Sequence, residues 1–213
     1  AYIFGGANDG HFSKRTLQID VGDTWATKTI ACKGDVPSPR ANHSVVFWKD
    51  ALWLFGGFNL LARNFVYNDL FTFDGVRWSR KQVEERPCAR SGHSCVAWRQ
   101  LLVVFGGWDG DGLLNDAFSF DEHRWHRLSP SGAAPSARAC HTATLLLGDQ
   151  MVVHGGLESG TGTSDDALNF GDAYELRRIS WKPSNHCLFP RDAKQLLLLW
   201  LLIRQRLRML TPE

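Results

Sequence analysis

Between His43 and Lys81 the chain alternates short apolar runs with polar turns. The order is HSVVFW, a turn at Lys49-Asp50, ALWLFGG, a long loop, DLFTFD, a turn at Asp74-Gly75, and Arg77 to Lys81. Runs of this length, rich in Val, Phe and Trp and bounded by Gly, Asp and Asn, predict the strands of an antiparallel meander. The same order returns over residues 93–128 as HSCVAW, LLVVFGG, DAFSFD and RWHRL, and over 141–182 as HTATLLL, MVVHGG, DAYELR and RISW. Residues 1–30 supply only the later strands of such a unit: AYIFGG, Thr16 to Asp20, and Trp25 to Ile30. Three complete four-stranded units and one lacking its first strand are expected.

Fixed landmarks keep step with the strands. The diglycines Gly5-Gly6, Gly56-Gly57, Gly106-Gly107 and Gly155-Gly156 are spaced by 51, 50 and 49 residues. An Arg-x-x-His recurs at Arg40/His43, Arg90/His93 and Arg138/His141, and an acidic step at Asp69, Asp116 and Asp172. A tryptophan closes each unit, at Trp25, Trp78, Trp125 and Trp181. Prolines between Val36 and Pro39, at Pro87 and at Pro135 mark the crossings, where a residue without an N–H helps to end a sheet. Glycine suits a strand end where backbones crowd, and a large indole can cover a neighbouring sheet while its N–H finds a partner. The Arg and His are expected to brace the crossings by bonding backbone carbonyls and the acidic groups of an adjacent unit.

These landmarks over residues 1–182 resemble the kelch repeat, about 50 residues long and folded as a four-stranded blade. The resemblance implies an all-β, kelch-type β-propeller of about four antiparallel blades, the first incomplete. Kelch propellers usually have six or seven blades, so an open partial ring, a fragment of a larger one, is expected. The resemblance also implies a non-catalytic scaffold that binds a protein partner on its loop face. The alternative is a metal-dependent enzyme of the galactose oxidase or plant specifier type. It is disfavoured: Tyr2, Tyr67 and Tyr174 lie beside or within repeat strands with no cysteine placed for a crosslink, and no Glu-x-x-x-Asp-x-x-x-His occurs. No cofactor or metal is expected.

The 213 residues are 44% hydrophobic and 22% charged, which excludes a disordered chain. With 24 basic against 22 acidic residues the formal charge is +2, too small to draw a nucleic acid or a membrane surface. Five cysteines form no disulfide framework or metal knuckle, which suits a reducing, cytoplasmic compartment. Residues 183–213 lack every landmark, and Leu196 to Ile203 followed by Arg204, Arg206 and Arg208 predict a C-terminal helix. Eight apolar residues do not span a bilayer, which takes about 20. A helix covering the last blade is preferred to one lying on a membrane. An echo of Asn42-His43 at Asn185-His186 suggests a strand that completes the first blade.

Strand direction puts four variable segments on one side: Ala7 to Arg15, Phe58 to Tyr67, Trp108 to Asn115 and Leu157 to Gly171. The candidates for partner contact there are Asn8, Asp9, Arg63, Trp108, Asp109, Asp111, Asp165 and Asp166, with Trp108 as the aromatic anchor. His43, His93 and His141 recur once per unit and are read as structural. His123 and His126 have a ligand-like spacing on an outer strand and are read as a weak metal signal.

Overall fold

The computed structural model describes residues 1–21, 25–146, 150–158, 171–177 and 180–183, and among them every regular element is a strand. The expected C-terminal helix and the strand suggested at Asn185-His186 lie outside the described residues. Strands in each sheet pair in sequence order, as tight turns between short runs require. Ser94–Trp98, Leu101–Trp108, Leu113–Phe120 and Trp125–Leu128 form one antiparallel sheet. Before it comes a sheet of Ser44–Trp48, Ala51–Phe55, Leu70–Phe73 and Arg77–Lys81. After it comes one of Thr142–Leu146, Gln150–His154, Ala173–Arg177 and Ser180–Pro183. The first sheet has three strands, Tyr2–Phe4, Thr16–Val21 and Trp25–Ile30.

Two sheets gain a strand that the sequence pattern did not predict. Lys33–Gly34 runs parallel to Arg77–Trp78, and Ser131–Gly132 parallel to Ser180–Trp181. Each comes from the crossing before its sheet and lies on the outer edge. Gly34 and Gly132 stand six positions before Arg40 and Arg138, and a Cβ on either would strike the carbonyl of Trp78 or Trp181. The middle crossing has Glu84 at that position and adds no strand. A side chain where only hydrogen fits is the physical reason.

The sheets stack face to face, and the core lies between them. Phe4 of the first sheet meets Trp78 of the second at 5.0 Å between ring centroids. Phe55 meets Trp125 at 4.9 Å, and Phe105 meets Trp181 at 5.1 Å. In each case the residue before a diglycine packs on the tryptophan of the following sheet. The same phenylalanines meet His43, His93 and His141 edge-on at 5.6, 5.3 and 5.3 Å. The leading strands Ser44–Trp48, Ser94–Trp98 and Thr142–Leu146 run side by side, which sets them at the inner edges.

Trp25 occupies the same place in the first sheet, but among the described residues no sheet precedes it. It is 70% exposed, against 1%, 5% and 2% for Trp78, Trp125 and Trp181. Its cross-strand partner Val21 is 66% exposed. Identical residues in equivalent positions therefore differ in energetic weight. Trp78→Ala is expected to lower unfolding free energy by about 3–5 kcal/mol, by analogy with buried aromatic truncations. Trp25→Ala is expected to change it by less than about 1 kcal/mol. Urea titrations of the two variants read the difference directly.

Candidate functional site

The loop end of the molecule is organised by three buried arginines. Arg40, Arg90 and Arg138 are each 0% exposed. Arg90 Nη1 donates to the Gly106 carbonyl at 3.0 Å and to Asp116 Oδ1 at 2.7 Å. Its Nη2 donates to Asp116 Oδ2 and Cys88 Sγ, and its Nε to the Cys88 carbonyl. Arg40 makes the same five contacts to Gly56, Asp69 and Ser38, and Arg138 makes them to Gly155, Asp172 and Ser136. All five N–H donors are used, so the buried charge is both paired and hydrogen-bonded. The acidic partner belongs to the sheet that the arginine enters, not to an adjacent unit as the sequence pattern suggested. The backbone makes the link to the preceding sheet: the Arg40, Arg90 and Arg138 carbonyls accept from Gly6, Gly57 and Gly107 N–H at 2.8, 2.8 and 2.9 Å.

The histidines fill the seam between neighbouring sheets. His93 Nε2 lies 2.9 Å from Ser44 Oγ, and His141 Nε2 lies 2.9 Å from Ser94 Oγ, each serine on the preceding sheet's inner strand. The first sheet lacks that strand beside His43. Glycine is required alongside: Gly56 has φ +65°, and a Cβ there would lie 2.5 Å from the Arg90 carbonyl and 2.8 Å from His93 Cε1. Burial, and then the neighbouring arginine, lowers the His43 and His141 pKa values to about 4 and that of His93 to about 3. Among the described residues no group of three His, Cys, Asp or Glu comes together to hold a metal ion.

At the mouth of the shared axis, Asn42, Gly92 and Cys140 follow one residue after Ala41, Ser91 and Ala139 and all adopt left-handed backbone angles. Gly92 N–H donates to the Asn42 carbonyl at 2.8 Å, and Cys140 N–H to the Gly92 carbonyl at 2.7 Å. This relay ties the entrances of three sheets together. Just outside it, Phe58, Trp108 and Leu157, the residues after three diglycines, pair with Ala41, Ser91 and Ala139. Between them opens a cleft of about 360 Å³, lined also by Leu113, Asp111 and Glu158, a size at the lower end of small ligand sites.

The sequence-derived candidates fall into different places. Trp108 and Asp111 line the cleft. Asp109 does not; its Oδ1 accepts from the Asp111 and Gly112 N–H groups at 3.0 and 2.8 Å, so it builds the loop. The Gly112 bond holds its carboxyl below the usual range. Asn8 and Asp9 sit at the tip of a hairpin, Ala7–Asn8 with His11–Phe12, where Asp9 takes φ 47°. Arg63 is exposed on a loop pinned by Asn59, whose side chain bonds Leu61 N–H and the Pro39 carbonyl. Asp165 and Asp166 lie outside the described residues. Phe58, Leu113, Leu157 and Glu158 were missed, although a large apolar residue after three of the four diglycines was legible in the repeat register.

Repeated antiparallel sheets stacked around a common mouth, three of them entered through a buried arginine, define a β-propeller-like repeat protein. The chain belongs to the kelch-repeat family: residues 1–185 match the model of the KLHDC2/KLHL20/DRC7 Kelch-repeats domain. It is 30% identical over 207 residues to host cell factor homolog hcf-1 of Caenorhabditis elegans, covering 84% of this chain and 25% of that protein. It is 32% identical to the Mus musculus Rab9 effector protein with kelch motifs, covering 76% of this chain and 45% of the relative. With Kelch domain-containing protein 1 of Mus musculus it shares 26% identity, over 89% of this chain and 53% of the relative. The chain therefore spans between a quarter and about half of these relatives' lengths. Among the described residues no helix is long and apolar enough to cross a membrane.

The buried histidines set an acid limit on stability. Folded, they stay neutral to about pH 4, and His93 to about pH 3, whereas unfolded they protonate near the ordinary histidine value of 6.5. Their contribution is complete above about pH 6.5 and is lost as the pH falls from there toward 4 and 3. Lowering the pH from about 7 to about 5 is expected to cost roughly 2 kcal/mol per ring. Urea midpoints followed by tryptophan fluorescence check this, and His93→Gln is expected to shrink the loss by about a third.

Proposed function

We propose that the chain is a non-catalytic protein-interaction module whose loop face holds a protein partner. The carrying observation is the cleft at the axis mouth, where Phe58, Trp108 and Leu157 from three sheets converge on a backbone held by hydrogen bonds. A half-buried aromatic on a rigid base forms the kind of anchor that dominates binding energy at interfaces. One relative is named as an effector of Rab9, which supports an interaction role. We also propose a reducing, cytoplasmic setting, on five cysteines whose spacing forms no disulfide framework.

The test is affinity capture from cell extract with the tagged chain, followed by identification of the retained protein. Trp108→Ala, alone and with Phe58→Ser, is expected to reduce its recovery several-fold. Lys49→Ala, in the turn at the far end of the strands, is expected to leave recovery unchanged, as is a chelator. Loss on Lys49→Ala with full retention on the loop-face variants, or loss with chelator alone, would overturn the reading.

A further inference from the structure

The cleft at the axis mouth combines apolar walls with an unbalanced charge. Phe58, Trp108, Leu113 and Leu157 supply the walls, while Asp111 and Glu158 supply carboxylates; among the described residues no Lys, Arg or His lines it. Among the described residues neither carboxylate is engaged in an ion pair. Asp109 adds a third negative charge next to the cleft, with Oδ1 committed to the loop backbone. Phe65, at 6.1 Å between ring centroids, supports the Trp108 indole without being one of the lining side chains.

Two carboxylates and a half-buried indole lining one cleft make poor surroundings for an anion. They suit a cation that is flat, weakly hydrated and able to stack, which describes a guanidinium better than an ammonium. Carboxylates would pair it in charge-assisted hydrogen bonds, and the apolar walls leave room for a neighbouring aliphatic side chain.

Resting on the loop-face reading above, we propose that this cleft binds an arginine-bearing peptide segment of the protein partner. Its guanidinium lies over Trp108 and pairs with Asp111 and Glu158, and an adjoining aliphatic residue packs between Phe58 and Leu157. The charge preference of this face is set here. An acidic partner segment is disfavoured by the same carboxylates.

The experiment is fluorescence anisotropy of the intact chain with a fluorescein-labelled peptide of alternating Arg and Leu. Control peptides carry citrulline, the neutral isostere of Arg, or Glu at the Arg positions. The Arg peptide is expected to bind about tenfold more tightly than the citrulline peptide, and to weaken as salt is raised. The double variant Asp111→Asn with Glu158→Gln, which keeps shape and removes charge, is expected to abolish the discrimination between them. Trp108→Ala is expected to weaken the Arg peptide further. Equal binding of Arg and citrulline peptides, tighter binding of the Glu peptide, or unchanged discrimination in the double variant would overturn the proposal. If these occur while partner capture still depends on Trp108, only the ligand class falls; if capture is also independent of the loop face, the interaction reading falls with it.

Discussion

Three guanidinium groups sealed inside the protein, with every N–H donor satisfied, are the constraint around which the loop end is built. An arginine placed so deep is costly unless its charge is met and its donors are filled. Here one fork grips a carboxylate and a glycine carbonyl of the sheet being entered, and the local turn takes the remaining donors. A lysine, with three donors on a flexible stem, could not satisfy the same planar set. Because the arginine's own carbonyl bonds the preceding sheet's second glycine, one residue holds two sheets in register.

The seam next to each arginine follows from this grip. Once its carbonyl is brought against the preceding diglycine, the space left there admits hydrogen and little else. The histidine ring then occupies the gap between that glycine and the phenylalanine before it. Burial drives the ring neutral, and a serine hydroxyl of the neighbouring inner strand satisfies its Nε2 at two of the three seams. The tryptophan of the following sheet covers the other side of the same phenylalanine. Polar and apolar contacts thus converge on one short segment per repeat, which couples each sheet to the one before it.

Rigidity at the mouth comes from the backbone. The left-handed residues Asn42, Gly92 and Cys140 pass backbone hydrogen bonds from one sheet to the next, so the cleft outside them has a floor that does not depend on loop side chains. Phe58, Trp108 and Leu157 inherit fixed positions from the diglycines before them. In the proposed reading, recognition rests on the few side chains that vary at these fixed positions, and their charge selects the class of partner.

Much of this was legible in the residues alone. Spacing of glycine pairs, arginines, acids and tryptophans determined an all-β kelch repeat, because each landmark answers a local need that recurs with the period. Strand limits such as Arg77–Lys81 and Trp25–Ile30 follow from alternation and turn chemistry. Other properties depend on residues distant in the chain, and only the tertiary structure decided them. Asp69, Asp116 and Asp172 bond the arginine of their own sheet, Asp109 serves its loop instead of the surface, and Trp25 is exposed where its counterparts are buried. The short outer strands at Gly34 and Gly132 arise from contact with a carbonyl over 40 residues away. A repeat pattern specifies what each unit offers, but which neighbour accepts it is settled by packing in space.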